Sequence, residues 1–454
     1  MTSLLWFRRD LRLGDNPALN AACDAGQVVP LFVIDPQFFD TAGAAMRAYQ
    51  VDSLAALTQA CGGALVIRYG DPRDVVPQVV KEIAATAVHC AADYEPAGAA
   101  RDMDVEARLY EQGVPLVRTG SPYAVAPGRV AKADGTPYRV YSPFYKAWLV
   151  HGWRGPVNPP ADIPWAEELI ARIGSEPLPA RPDLEGMVLL PAGEAAALQR
   201  WKHFAETALM DYADNRDRPD FDSTSQMSGY LRFGEIHVRT MLADLGEFKG
   251  HEVYRKELAW REFYADVLWN NPATEHDYLD QRFVGMRYNT GPAAQEHFTA
   301  WTQGRTGYPI VDAGMRQLQR EGWIHNRVRM IVASFLVKDL HLEWTQGAEW
   351  FMRYLRDADV ASNQHGWQWT AGCGTDAAPY FRVFNPTTQG LRFDPEGAYI
   401  REYIPELRHL RGAAAHEPWD ELDGYEHGYP MRIVDHATER DESLARYQEI
   451  KVAP

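Results

Sequence analysis

Cysteine is scarce in this sequence: four residues in 454, Cys23, Cys61, Cys90 and Cys373, with no CxxC pair among them. That spacing excludes a thioredoxin-like motif or a zinc ribbon and predicts free thiols in a reducing compartment. Long apolar runs are missing too, and none approaches the roughly 18 residues of a spanning helix. The opening MTSLLWFRRD enters a strand-like run at once and has no signal-peptide anatomy, so a cytoplasmic protein is expected. Positive charge is in short supply, 46 Lys and Arg against 62 Asp and Glu, which argues against broad nucleic-acid affinity. The first strand runs into FRRDLRLGDNPAL rather than G-x-G-x-x-G, so the usual dinucleotide fingerprint is absent. No HExxH, zinc spacing or catalytic triad occurs among the fourteen histidines, and no metal site is expected.

Two features run the other way. Between Gln303 and Met330, Arg305, Arg316, Arg320, Arg327 and Arg329 outnumber Asp312 and Glu321, an excess of three positive charges beside His325. A solvated helix face explains this as well as a nucleic-acid surface does, because charge distribution rather than its sum decides such binding. Tryptophan is abundant at fourteen residues, and Trp260, Trp269, Trp301, Trp323, Trp344, Trp350, Trp367 and Trp369 all fall in the second half. The stretch SNQHGWQWTAG (362–372) sets Asn363, Gln364 and His365 ahead of two tryptophans two residues apart. On a helix such a pair points about 200° apart, so Trp367 and Trp369 are expected to face different surroundings.

The length predicts more than one domain. Apolar runs at 3–8, 28–34, 64–69, 87–92 and 114–118 alternate with helical stretches such as 46–60 and 74–85. Such alternation means βαβ units and a doubly wound, Rossmann-like parallel sheet over residues 1–125. Residues 126–191 are rich in Pro and Gly and read as an irregular connection. From 192 to 454 the reading is helical, with apolar positions at a 3.6-residue period in segments such as 252–269 and 311–340. The fold class is therefore α/β followed by a mainly α domain.

The blocks WFRRDLRLGDNPAL, RDRPDFDSTSQMSGYL, ELAWREFY, TGYPIVDAGMRQLQREGWIHNRVRM, ASFLVKDLHLEW and GTDAAPYFRVFNPTTQG together resemble the photolyase/cryptochrome flavoproteins, nearest to class I cyclobutane pyrimidine dimer photolyases. The resemblance runs from the first strand to about Leu410. It implies an N-terminal antenna domain and a helical domain that binds FAD, working as the reduced anion, and DNA. By resemblance Tyr212, Thr224, Ser225, Met227 and Ser228 hold the phosphates and ribitol. Arg329, Asp357 and Asp359 surround the isoalloxazine ring, and Asn363 faces its N5. An amide suits that place because it both donates and accepts hydrogen bonds.

Electron transfer to the flavin is implied for Trp367, Trp344 and, where relatives carry a third tryptophan, Tyr288; Trp269 and Trp350 are substitutes for that last position. The substrate set is Glu257, Trp260, Asn326, Met330 and Trp369, with Arg216, Arg327 and Arg382 on phosphates or the rim. Glu257, Asn363 and Trp369 carry the catalytic roles. The partner is UV-damaged DNA holding cyclobutane pyrimidine dimers, met by a monomer. Where folate-antenna relatives carry an Asn-Glu pair, DYEPAGAARD (93–102) has Ala97 and Gly98, which points to 8-hydroxy-5-deazaflavin or an empty site over folate. Three other readings stay open: a blue-light signalling cryptochrome, a (6-4) photolyase, for which the expected histidine pair is missing near Met330, and an FAD protein that does not bind DNA.

Overall fold

The computed structural model describes residues 1–376 and 381–452, so part of the block GTDAAPYFRVFNPTTQG lies outside the described residues. Five parallel strands, β1 (Thr2–Phe7), β2 (Gln27–Ile34), β3 (Val66–Tyr69), β4 (Ala87–Cys90) and β5 (Leu116–Arg118), form one sheet in the order β3-β2-β1-β4-β5. Leu4 and Trp6 of β1 pack on one face, under the helices α3 (Pro72–Ile83) and α4 (Pro96–Tyr110). Leu5 and Phe7 pack on the other, with α1 (Pro17–Ala25) and α2 (Ala44–Ala60). Burial on both faces is why the strands read as unbroken apolar runs.

That second apolar layer continues into the helical part without a break, reaching Trp148, Phe204, Tyr254 and Phe263. The loop FRRDLRLGDNPAL seals the junction. Arg12 donates to the carbonyls of Gly234 (2.8 Å) and Asp15 (2.7 Å), the Leu11 N–H donates to Phe233 O (3.1 Å), and Asp15 pairs with Arg239 (3.3 Å). Asn16 then caps α1 by accepting from the N–H groups of Ala18 and Leu19. Where a Rossmann domain would cradle pyrophosphate, this loop binds the second half of its own chain.

The stretch 126–191 is not wholly irregular. It holds α5 (Tyr141–His151), whose Trp148 is fully buried, and a further turn of helix at Glu167–Ile173. The helical part is built on α6 (Ser228–Phe233), α7 (Lys249–Asn270), α8 (Pro309–Glu321), α9 (Asn326–Lys338), α10 (Trp344–Tyr354) and α11 (Val360–Ala371).

The helical period over 311–340 is carried by two helices, α8 and α9. Gly322 ends α8 at φ +58°, a left-handed cap that other residues adopt at a cost, and His325 caps α9 by accepting from the Arg327 N–H. The apolar period runs on across the break, which hides it in the sequence. No helix among the described residues is long and apolar enough to cross a membrane.

Candidate functional site: a cavity with a charged floor and an aromatic rim

One cavity of about 690 Å³, within the usual range of about 300–1,000 Å³ for cofactor and ligand clefts, opens between α6, α7, α9 and α11. Its lining includes every expected flavin and substrate residue except Thr224. The carbonyl of Thr224 instead accepts from Arg200 (2.9 Å), behind the wall.

The buried end is ionic. Arg329, at the start of α9, pairs with Asp357 (2.8 Å) and also donates to Ile324 O (2.8 Å). The second carboxylate oxygen of Asp357 is buried with no hydrogen-bond partner. Asp359 caps α11, accepting from the Ser362 N–H (2.9 Å), and pairs with Arg9 of the sheet domain (2.8 Å). Burial alone would raise the Asp359 carboxyl, but Arg9, Arg261 and Arg232 hold it well below the ordinary value. Arg9 also pairs with Glu95 (2.5 Å), so one guanidinium joins the loop after β4 to this floor. Counting Arg9, Arg232, Arg261 and Arg329 against Asp357, Asp359 and Glu95, positive charge predominates. Asn363 sits in the first turns of α11; its amide N–H₂ donates to Ala348 O (3.1 Å) and Gln364 Oε1 (2.8 Å), leaving its carbonyl oxygen as an acceptor.

Nearby, the Tyr254 hydroxyl donates to Ser225 Oγ (2.9 Å), and Ser228 begins α6. Tyr212 packs edge-on against Tyr254 at 5.1 Å, in contact range of the same wall. An unpartnered carboxylate oxygen, hydroxyls, and an excess of guanidinium groups form a donor and acceptor set that fits a flavin dinucleotide.

The exposed end is aromatic with charged edges. Glu257 and Trp260 are neighbours on one face of α7, and Arg216 pairs with Glu257. Burial pushes the Glu257 carboxyl up against the pull of Arg216. Arg327 pairs with Asp217 (2.8 Å) and lies over the Phe393 ring (4.5 Å). Asn326, Met330, Trp369 and Arg382 complete this end, together with Arg392 and Gln389, which sequence reasoning missed. Of the basic run 303–330, only Arg327 and Arg329 reach the cavity; Arg316 and Arg320 pair with Glu406 and Glu402 at the surface.

Trp367 and Trp369 do differ in surroundings. Trp367 is buried edge-on against Phe351 (5.0 Å) and Trp301 (6.1 Å), and a Cβ at Gly347 of α10 would lie 2.1 Å from its ring, so glycine makes that approach possible. Trp369 is only half-buried. Trp344 and Tyr288 lie outside the cavity, with Tyr278, unflagged by the sequence, between them. Its ring meets Trp344 edge-on at 6.2 Å, and its hydroxyl lies 3.2 Å from that of Tyr288. The Tyr278 hydroxyl donates to Glu343 (2.8 Å), whereas the buried indole N–H of Trp344 has no acceptor. An oxidised tyrosine here has a base for its proton, and an oxidised Trp344 has none. Trp269 packs on Tyr94 (5.3 Å) at the sheet domain, and Trp350 stacks on Tyr354 (4.3 Å). No cluster of His, Cys, Asp and Glu suited to a metal ion occurs among the described residues.

Comparison with known proteins agrees with this architecture. Residues 3–164 match the DNA photolyase family model, and residues 254–449 match the FAD binding domain of DNA photolyase. A deoxyribodipyrimidine photo-lyase of Halobacterium salinarum is 39% identical, with 98% of each chain covered. A bacterial class III photolyase from Agrobacterium tumefaciens has a structure that superposes with a TM-score of 0.91 at 35% identity, over 100% of this chain and 98% of that one. A Synechocystis cryptochrome superposes with a TM-score of 0.87 at 26% identity, over 98% of both chains. Family models over most of the chain and full-length relatives above 30% identity agree, and the chain belongs to the photolyase/cryptochrome family.

Proposed function

We propose that this chain is a photo-lyase that repairs cyclobutane pyrimidine dimers in DNA with blue or near-ultraviolet light. The observation that carries the reading is the continuity of one cavity from the Arg329–Asp357 floor to the Trp260 and Trp369 rim. The residues of the ionic floor would hold reduced FAD, which when bound would supply the light-excited electron for splitting the cyclobutane ring, the electron being afterwards returned. The protein's own residues bind, orient and exclude water. Tyr212, Ser225, Met227 and Ser228 hold the phosphates and ribitol. The guanidinium excess around Asp359 would favour an anionic ring, and the Asn363 amide oxygen, left free by its own hydrogen bonds, would serve as the acceptor for N5.

Trp260 and Trp369 receive the flipped bases between them, each stack worth roughly 1–3 kcal/mol. A dimer pairs and stacks poorly, which lowers the cost of flipping it out. Glu257, its protonated form favoured by burial, donates to a base carbonyl while Arg216 holds it in place. Asn326 and Met330 shape the base pocket, and Arg327 and Arg382 meet phosphates, so binding weakens with salt. Trp367 and Trp344 carry replacement electrons inward, with Tyr288 at the outer end. The active species is a monomer.

For light collection the reading is 8-hydroxy-5-deazaflavin over folate. Ala97 and Gly98 supply no carboxylate to anchor a pterin, and Glu95, just ahead of them at the N-cap of α4, is taken by Arg9. An absorption band to the red of the near-ultraviolet peak of oxidised FAD in purified protein supports it, and a spectrum of FAD alone refutes it.

The test of repair is the return of thymine monomers from a dimer-containing oligonucleotide on illumination of the reduced protein. Absence of light-dependent restoration in protein shown to hold fully reduced FAD overturns the proposal in favour of a signalling flavoprotein.

A further inference from the structure

Trp260 presents a ring to the cavity, and a base can stack on it only if the plane of that ring is held. The residue that holds it comes from outside the helical domain. Tyr141, at the start of α5, lies flat against Trp260, with ring centroids 3.7 Å apart and planes within 9°. Tyr145, one turn further along α5, stacks on Tyr141 at 5.9 Å, so Trp260 ends a stack of three rings. The Tyr141 hydroxyl donates to Lys256 O (2.7 Å), the carbonyl four residues before Trp260, to which the Trp260 N–H also points in an α-helix. Tyr141 is thereby fixed to the same helical turn that carries the tryptophan, and it is 7% exposed.

The same short segment grips the other wall. The Tyr141 N–H donates to Asp376 Oδ1 (3.3 Å), the Asp376 N–H donates to Arg139 O (3.1 Å), and the Thr375 hydroxyl donates to that same carbonyl. Thr375 and Asp376 lie just beyond the C-terminal cap, Gly372, of α11, the helix of Trp369. Arg139 and Tyr141 therefore tie the helix of Trp260 to the segment that follows the helix of Trp369, and both tryptophans line the cavity.

We infer that Arg139–Tyr141 sets the aromatic gap of the cavity: Tyr141 is a positioning residue that fixes the plane of Trp260, and the clasp on Thr375–Asp376 fixes its spacing from the helix of Trp369. The inference rests on the reading of Trp260 as a base-stacking residue. Tyr141 does not line the cavity, so it touches no base itself. Its effect falls on how well a flat lesion is held, not on the chemistry after capture.

The experiment compares the FAD-bound protein with its Tyr141→Ala, Tyr141→Phe and Trp260→Ala variants. Each is titrated in the dark with an oligonucleotide carrying one thymine dimer and with the same oligonucleotide undamaged. Flavin content and the repair rate at saturating DNA are measured alongside. Tyr141→Ala is expected to lower the preference for the dimer by about threefold to tenfold, with flavin content and saturated rate unchanged, and Tyr141→Phe to restore most of it. Wild-type discrimination in Tyr141→Ala, when Trp260→Ala has lost it, overturns the inference. Wild-type discrimination in Trp260→Ala removes the stacking reading beneath it and the inference together. If Tyr141→Ala comes without flavin, Tyr141→Leu, which fills the space without a flat ring, decides in its place by the same two outcomes.

Discussion

Glu235 makes the junction between the two halves of the molecule sensitive to pH. It is fully buried, accepts a hydrogen bond from the Tyr49 hydroxyl of α2 (2.8 Å), and accepts another from the Gly193 N–H. Burial outweighs both bonds and raises its carboxyl from 4.5 to about 7. A carboxyl raised in the folded state contributes stability in full below its unfolded value, and that contribution is lost as pH climbs through the folded value. With a shift of this size the whole loss is about 3 kcal/mol, of which about 2 kcal/mol falls between about pH 5.5 and about pH 8.5.

Glu235→Gln keeps the shape, and the Tyr49 hydroxyl can turn to accept from the new amide. Its cost at low pH is that of one rearranged hydrogen bond, about 1 kcal/mol. At high pH the variant avoids the ionisation penalty, so it is expected to equal or exceed the wild type. The assay is the thermal midpoint of the FAD-bound protein and the variant across this range, where the difference between them cancels every other titrating group. A difference that does not change with pH refutes the reasoning, because it means that Glu235 titrates alike in the folded and unfolded chains.

Removing Arg9 takes the direct ion-pair partner from both Asp359 and Glu95 and leaves Asp359 only Arg232 and Arg261, and breaking a buried pair costs up to about 3–5 kcal/mol; Arg9→Ala is expected to lose flavin, read as the ratio of flavin to protein absorbance, and a wild-type ratio counts against the ionic floor. Burial raises the Glu257 carboxyl, so repair at saturating DNA is expected to fall as pH rises through its pKa, and Glu257→Gln to flatten that fall; identical profiles remove Glu257 from the reaction. Trp344→Phe is expected to slow reduction of the flavin by an added thiol in light while leaving repair by chemically pre-reduced protein intact. Equal loss of both places Trp344 in the core alone.

The sheet was legible because parallel strands buried on both faces must be apolar throughout, and Leu4, Leu5, Trp6 and Phe7 satisfy two cores at once. The cavity was legible through the resemblance rather than through periodicity: Glu257 with Trp260, and Asn363 with Trp367, are ordinary helical spacings that say nothing by themselves. What escaped the sequence depends on contacts between distant segments. Tyr278 acquires meaning only from Trp344 and Glu343 on another element, and Tyr141 only from Trp260, more than a hundred residues on. Gly322 was visible as a residue but hidden as a break, because the apolar stripe of α8 resumes in α9 at nearly the same phase. Thr224 carries a hydroxyl in the right block, yet the turn directs its neighbour Ser225 to the wall.

The guanidinium of Arg9 makes the two halves of the chain something other than interchangeable modules. It begins in the loop after β1, takes Glu95 from the loop after β4, and ends on the carboxylate that caps the helix of Asn363. A chimera that replaces the first 125 residues with those of a relative exchanges not only a sheet but part of the electrostatic potential at the charged floor of the cavity. Such a hybrid keeps that potential only where its donor supplies an arginine and a glutamate at the same two places.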